Sequence, residues 1–109
     1  HVLSGNVFLV GAGSLLEGLM TRNVSILKMS SGETQFMPEL IESFREVDTD
    51  GIVSGSFALV EYSSKNRTVL DAFKKNVDGI IVWGGEDAVR SYRSDVPART
   101  RIIVFGPKL

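Results

Sequence analysis

Ile80, Ile81, Val82 and Trp83 form an unbroken apolar run between Asp78-Gly79 and Gly84-Gly85. The run is too short for a helix and lacks the alternation of a strand with one wet face, so it suits a strand covered on both sides, as in parallel sheets. Comparable runs at 7–10 and 101–105, and less uniform ones at 24–28 and 57–60, predict four more strands. Between them the apolar positions take helical spacing. Leu15, Leu16, Leu19 and Met20 follow the first run. Phe36, Met37, Leu40, Ile41 and Phe44 mark one face of a second helix, whose other face carries Glu39, Glu42, Ser43 and Glu46. Pro38 must then lie in its first turn, and Thr34 is its candidate cap. Val69, Leu70 and Phe73 predict a third helix closing near Lys74 and Lys75, and Ala88, Val89 and Tyr92 a fourth. Strands alternating with helices need crossover connections. The expected fold is therefore α/β: a three-layer αβα arrangement around a mostly parallel five-stranded sheet, Rossmann-like in type.

Length and charge narrow this picture. The 109 residues suit one small domain with a real core. The chain opens on His1 and stops at Leu109, directly after a strand-like segment, so it is expected to be part of a longer polypeptide. Twelve lysines and arginines against thirteen acidic residues create no long-range field, which disfavours nucleic acid and anionic membrane as partners. With no cysteine the chain has no disulfide, no thiolate metal site and no cysteine nucleophile, and a reducing, cytoplasmic setting is expected. No apolar run approaches the roughly 20 residues that span a bilayer.

Candidate chemistry gathers where the strands end, because ligands of parallel sheets bind beyond the carboxyl ends of the strands. Gly84 and Gly85 stand there and would let a phosphate approach the backbone, or simply turn the chain. Glu86 and Asp87 follow; their simplest role is at the positive end of the next helix, where they would also repel phosphate. Gly11-Ala12-Gly13 with Gly18 is not the dinucleotide fingerprint: Leu16 stands where its third glycine belongs, and the next strand ends in Lys28 instead of a carboxylate. The alternative is that these glycines let the first helix pack closely on its strand. Lys28, Ser30 and Ser31 offer a cation and two hydroxyls for ribose hydroxyls or a 2′-phosphate, or else form a solvated polar loop. Asn6, if turned inward, would donate to a developing oxyanion; otherwise it is a turn residue. No metal site is expected.

Gly5-Asn6-Val7, then 23–31, then Val82-Trp83-Gly84-Gly85 and Val104-Phe105-Gly106-Pro107-Lys108 together resemble the aldehyde dehydrogenase superfamily, and more closely its LuxC-type acyl-CoA reductase branch. The resemblance runs in order over essentially the whole chain. It implies that residues 1–109 are part of the NAD(P)-binding domain of a longer enzyme. By the same resemblance Asn6 would stabilise the oxyanion, and Lys28 would touch the adenosine ribose. Ser31, where NAD-preferring relatives carry glutamate, implies NADPH. Glu86 replaces the usual phosphate-contacting serine, and Val104 the glutamate base of hydrolytic members, which suits acyl exchange with coenzyme A. The parent enzyme would take an acyl group from a fatty acyl-CoA or acyl-protein donor onto a cysteine outside this chain, reduce the thioester to fatty aldehyde, and form a homo-oligomer. The rival reading is a non-catalytic α/β ligand-binding or regulatory module.

Overall fold

The computed structural model describes residues 1–3, 8–29 and 35–105. In chain order the elements are α1 (Phe8–Met20), β1 (Ser25–Lys28), α2 (Phe36–Val47), a 3₁₀ turn (Ser54–Ser56), β2 (Phe57–Val60), α3 (Arg67–Asn76), β3 (Gly79–Trp83), α4 (Glu86–Arg93) and β4 (Arg101–Phe105).

The strands form two parallel pairs, β1 with β2 and β3 with β4, in place of the single five-stranded sheet expected from the pattern. Val2 links the pairs through isolated parallel bridges to Lys28 and Val82. The Val2 amide donates to Ile81 O at 2.7 Å, and its carbonyl accepts from Trp83 N at 2.8 Å. On the other side, Lys28 N donates to His1 O at 2.8 Å and Leu3 N to Lys28 O at 3.1 Å. The rows therefore run β2, β1, Val2, β3, β4. β3 lies between β4 and Val2, the interior position its unbroken apolar run implied.

The strand expected at 7–10 is not seen from residue 8 onward, while residue 7 lies outside the described residues. The described part of that run, Phe8 onward, opens α1. Three consecutive apolar residues have no period, so they read equally well as strand or helix. Here His1–Leu3 already occupies the backbone groups of β1 and β3 that such a strand would need. The next residues satisfy their own amides and carbonyls by coiling. Gly11, Ala12 and Gly13 consequently lie inside a helix and form no phosphate loop.

α1 turns Gly11, Ser14, Leu15 and Gly18 inward. A Cβ on Gly11 would come 2.7 Å from Met37 Sδ, and one on Gly18 would come 2.5 Å from Ser25 Oγ and 3.2 Å from His1 Nε2. Both glycines are there for close approach, to α2 and to β1. The helix closes at Arg22, with φ 59°, where Arg22 N bonds Leu19 O and Asn23 N bonds Gly18 O, the Schellman pattern.

Helices cover both faces. Leu27 and Phe57 pack with Leu3, Leu15, Met37 and Ile41 under α1 and α2. Val2, Ile80 and Val82 pack with Leu70 and Tyr92 under α3 and α4. Pro38 sits in the first turn of α2, as required. Asn66 caps α3 by accepting from Val69 N. Lys74, in the last turn of α3, is buried, and its ammonium donates to Ser94 O at 2.8 Å. That bond satisfies the carbonyl of the residue capping α4 at its C-terminal end.

Alanine at an interior helix glycine ordinarily adds roughly 0.8–1 kcal/mol of helix stability. At Gly18 the sign should reverse, because the methyl would collide with Ser25 Oγ, and Ser25 is held in a strand. Gly18→Ala is expected to cost about 1–3 kcal/mol, the scale of overpacking. Urea unfolding of the variant checks this; an unchanged or raised midpoint refutes the close approach.

Candidate functional site

Because both strand pairs are parallel, Lys28, Val60, Trp83 and Phe105 end at one common edge. Side chains alternate across β1: Leu27 enters the core under α1 and α2, while Ile26 and Lys28 face α3 and α4. On that second side lies a small cavity of about 40 Å³, partly open to solvent. Ile26, Lys28, Val60, Tyr62, Phe73 and Tyr92 contribute to its wall. Its lining is mostly apolar and aromatic, and Lys28, the hydroxyls of Tyr62 and Tyr92, and His1 are its polar members.

Lys28 is half-buried, and its ammonium sits 5.3 Å from the centroid of the Tyr62 ring. Among the described residues no carboxylate lies within ion-pair distance of it. Desolvation pushes its pKa down, while the charge of Glu61 pushes it up. The Tyr62 hydroxyl pairs with the Tyr92 hydroxyl at 2.8 Å, and the Tyr62 ring stacks on Phe73 with centroids 5.4 Å apart and planes 16° from parallel. Burial raises the pKa of both tyrosines; the shared bond opposes the rise at Tyr62 and adds to it at Tyr92.

Gly84 follows β3, where an added Cβ would come 3.2 Å from Ala88 Cβ. Gly85 caps α4 in an extended conformation, with open space around its Cα. Glu86 and Asp87 occupy the first turn of α4, so this helix start presents two carboxylates to any approaching anion. The residues present fit an anion at Lys28 better than at α4. Asn6, Ser30 and Ser31 lie outside the described residues.

Across the sheet, the His1 ring contacts Ser14 Oγ, and the Trp83 indole reaches the same oxygen at 3.4 Å. Ser14 is 1% exposed within α1, so this serine–histidine contact has no route to a substrate and serves to join α1 to the sheet. Ser25 Oγ is buried and has no hydrogen-bond partner among the described residues. No group of three or more histidine, cysteine, aspartate or glutamate side chains converges among the described residues, and none of their helices is long and apolar enough to cross a membrane.

The family model of acyl-CoA reductase (LuxC) matches residues 1–109. The chain belongs to the LuxC acyl-CoA reductase family. It is 33% identical over 109 residues to long-chain acyl-protein thioester reductase 2 of Photobacterium leiognathi, covering 99% of this chain and 23% of that protein. Long-chain acyl-protein thioester reductases of Vibrio harveyi and of Photorhabdus laumondii subsp. laumondii are 33% and 34% identical over the same 99% of the chain and 23% of their own length. The chain thus spans about a quarter of the length of these LuxC relatives. Tyr62, which lines the cavity beside Lys28, is not among the candidates read from the sequence. Its signal was an aromatic just beyond a predicted strand, at the edge where parallel sheets bind ligands.

Proposed function

We propose that this chain is the cofactor-binding part of a longer, cytoplasmic, homo-oligomeric reductase of the aldehyde dehydrogenase type, which converts a fatty acyl thioester to the fatty aldehyde with NADPH. The acyl group would arrive from coenzyme A or an acyl protein, and the relatives' own name, long-chain acyl-protein thioester reductase, supports the second donor. The chain has no cysteine, so the acyl-accepting thiol is assigned to another part of the enzyme. NADPH would supply the hydride to the thioester carbonyl; with one proton, the products are aldehyde and free thiol.

One observation carries this reading. With the isolated bridges of Val2 counted as a first row, the order β2, β1, Val2, β3, β4 supports a likeness to the 3-2-1-4-5 order of dinucleotide-binding folds, whose crevice opens at the carboxyl ends where the order reverses. Lys28 stands on that edge, free of a carboxylate partner among the described residues. In this reading Lys28 attracts the ribose 2′-phosphate, Ser30 and Ser31 add hydroxyl donors, Gly84 and Gly85 give the backbone room, and Asn6 donates to the oxyanion. Glu86 and Asp87 turn the pyrophosphate away from the start of α4.

Ser31 supplies the test. A carboxylate there would accept from ribose hydroxyls and repel a 2′-phosphate. Ser31→Glu in the full-length enzyme should erase or reverse a preference for NADPH over NADH, by about 1–3 kcal/mol. The ratio of catalytic efficiencies with the two cofactors, using a fatty acyl thioester, is the measurement. A ratio that does not move removes the cofactor from this edge, and absence of NADPH binding altogether would favour a non-catalytic module.

A further inference from the structure

We propose that Tyr62 is a positioning residue that holds the Lys28 ammonium ready for an anionic nucleotide, and so sets cofactor affinity. This rests on the cofactor reading of Lys28 given above. A lysine has a long flexible stem, and fixing it costs conformational entropy. Something must therefore aim the ammonium if it is to bind strongly. The partner seen is the face of Tyr62, 5.3 Å from Nζ to centroid, inside the range of a cation–π contact.

The choice of an aromatic face has a chemical consequence. A carboxylate partner would neutralise the cation and occupy its N–H donors. A π face attracts the charge while leaving donors directed elsewhere, so the lysine is located yet still able to bind phosphate. Tyr62 can serve as a fixed platform because two helices hold it. Phe73 of α3 stacks on its ring, and the hydroxyl of Tyr92 on α4, a residue only 4% exposed, bonds its hydroxyl at 2.8 Å. Glu61, next to Tyr62, acts on Lys28 through its charge and is exposed, which leaves the ring as the close partner. The partial burial that lowers the Lys28 pKa fits an ammonium lying along this apolar wall.

The experiment is a double-mutant cycle in the full-length enzyme, read as the dissociation constant of NADPH by fluorescence titration without acyl donor. Tyr62→Leu should weaken binding about fivefold, the scale of a partly buried cation–π contact. Tyr62→Phe, which keeps the ring, should restore affinity to within about twofold of the parent. In a Lys28→Ala background Tyr62→Leu should have no further effect, because the two residues act as one unit. Equal weakening by Tyr62→Leu with and without Lys28 would reveal a merely structural role and overturn the inference, as would no weakening at all. If Lys28→Ala itself leaves NADPH affinity unchanged, the cofactor reading of that lysine fails and takes this inference with it. If Lys28→Ala weakens binding and Tyr62→Leu does not, the inference alone falls.

Discussion

Leu27→Ala is expected to lower the unfolding free energy by about 2–5 kcal/mol, the range for emptying a leucine site in a closed core. Leu27 has no exposed surface and belongs to a buried cluster with Leu3, Met29, Leu15 of α1, Met37 and Ile41 of α2, and Phe57 of β2. Its neighbours are anchored in two helices and a second strand, so they can collapse only partly into the space. A loss of this size is a large share of the roughly 5–15 kcal/mol that small proteins have in total. Ile26, the preceding residue of β1, faces the open cavity and is 37% exposed, so Ile26→Ala should cost much less. Urea unfolding of both variants reads the contrast as a shift in midpoint at constant slope. Equal losses would show that β1 does not turn Leu27 and Ile26 to the two faces described.

The second large effect concerns binding. Under the proposed function, Lys28→Ala in the full-length enzyme should raise the NADPH Michaelis constant by a factor corresponding to about 1.5–3 kcal/mol, the value of a hydrogen bond to a charged group. The size follows from the surroundings: Lys28 is half-buried against Tyr62, and no carboxylate among the described residues competes for its charge. Lys28→Met, which keeps the apolar stem, should show nearly the same loss, because what is removed is charge and not packing. Steady-state kinetics with each cofactor provide the check. If Lys28→Met behaves as the parent, the ammonium contributes nothing to the nucleotide.

Residues with strong local signals were legible in the chain. The two-faced pattern from Phe36 to Phe44, the apolar run ending at Trp83, and the cationic end of α3 all reappear as elements. Lys28 was legible as a cation at the end of a strand, because that position needs only local information. Tyr62 was not. Its place is set by Lys28 of β1 and by Phe73 and Tyr92 of two helices, and no spacing along the chain encodes those distances. Lys74 had a signal that pointed only halfway: a cation in the last turn of its own helix, whose ammonium bonds the end of a different one.

By itself the sequence determined the alternation of strand and helix, the parallel character of its strands and, through its resemblance, its family, since each of these is carried by residue type and order. Only the tertiary structure decided that Val2 bridges β1 to β3, that the segment from Phe8 is helical, and that Gly11 and Gly18 serve helix packing. The reason lies in the backbone. A short apolar segment can satisfy its amides and carbonyls either in a ladder or within a helix, and its side chains favour neither. Once His1–Leu3 holds the facing groups of Lys28, Ile81 and Trp83, coiling is what remains for the residues of α1.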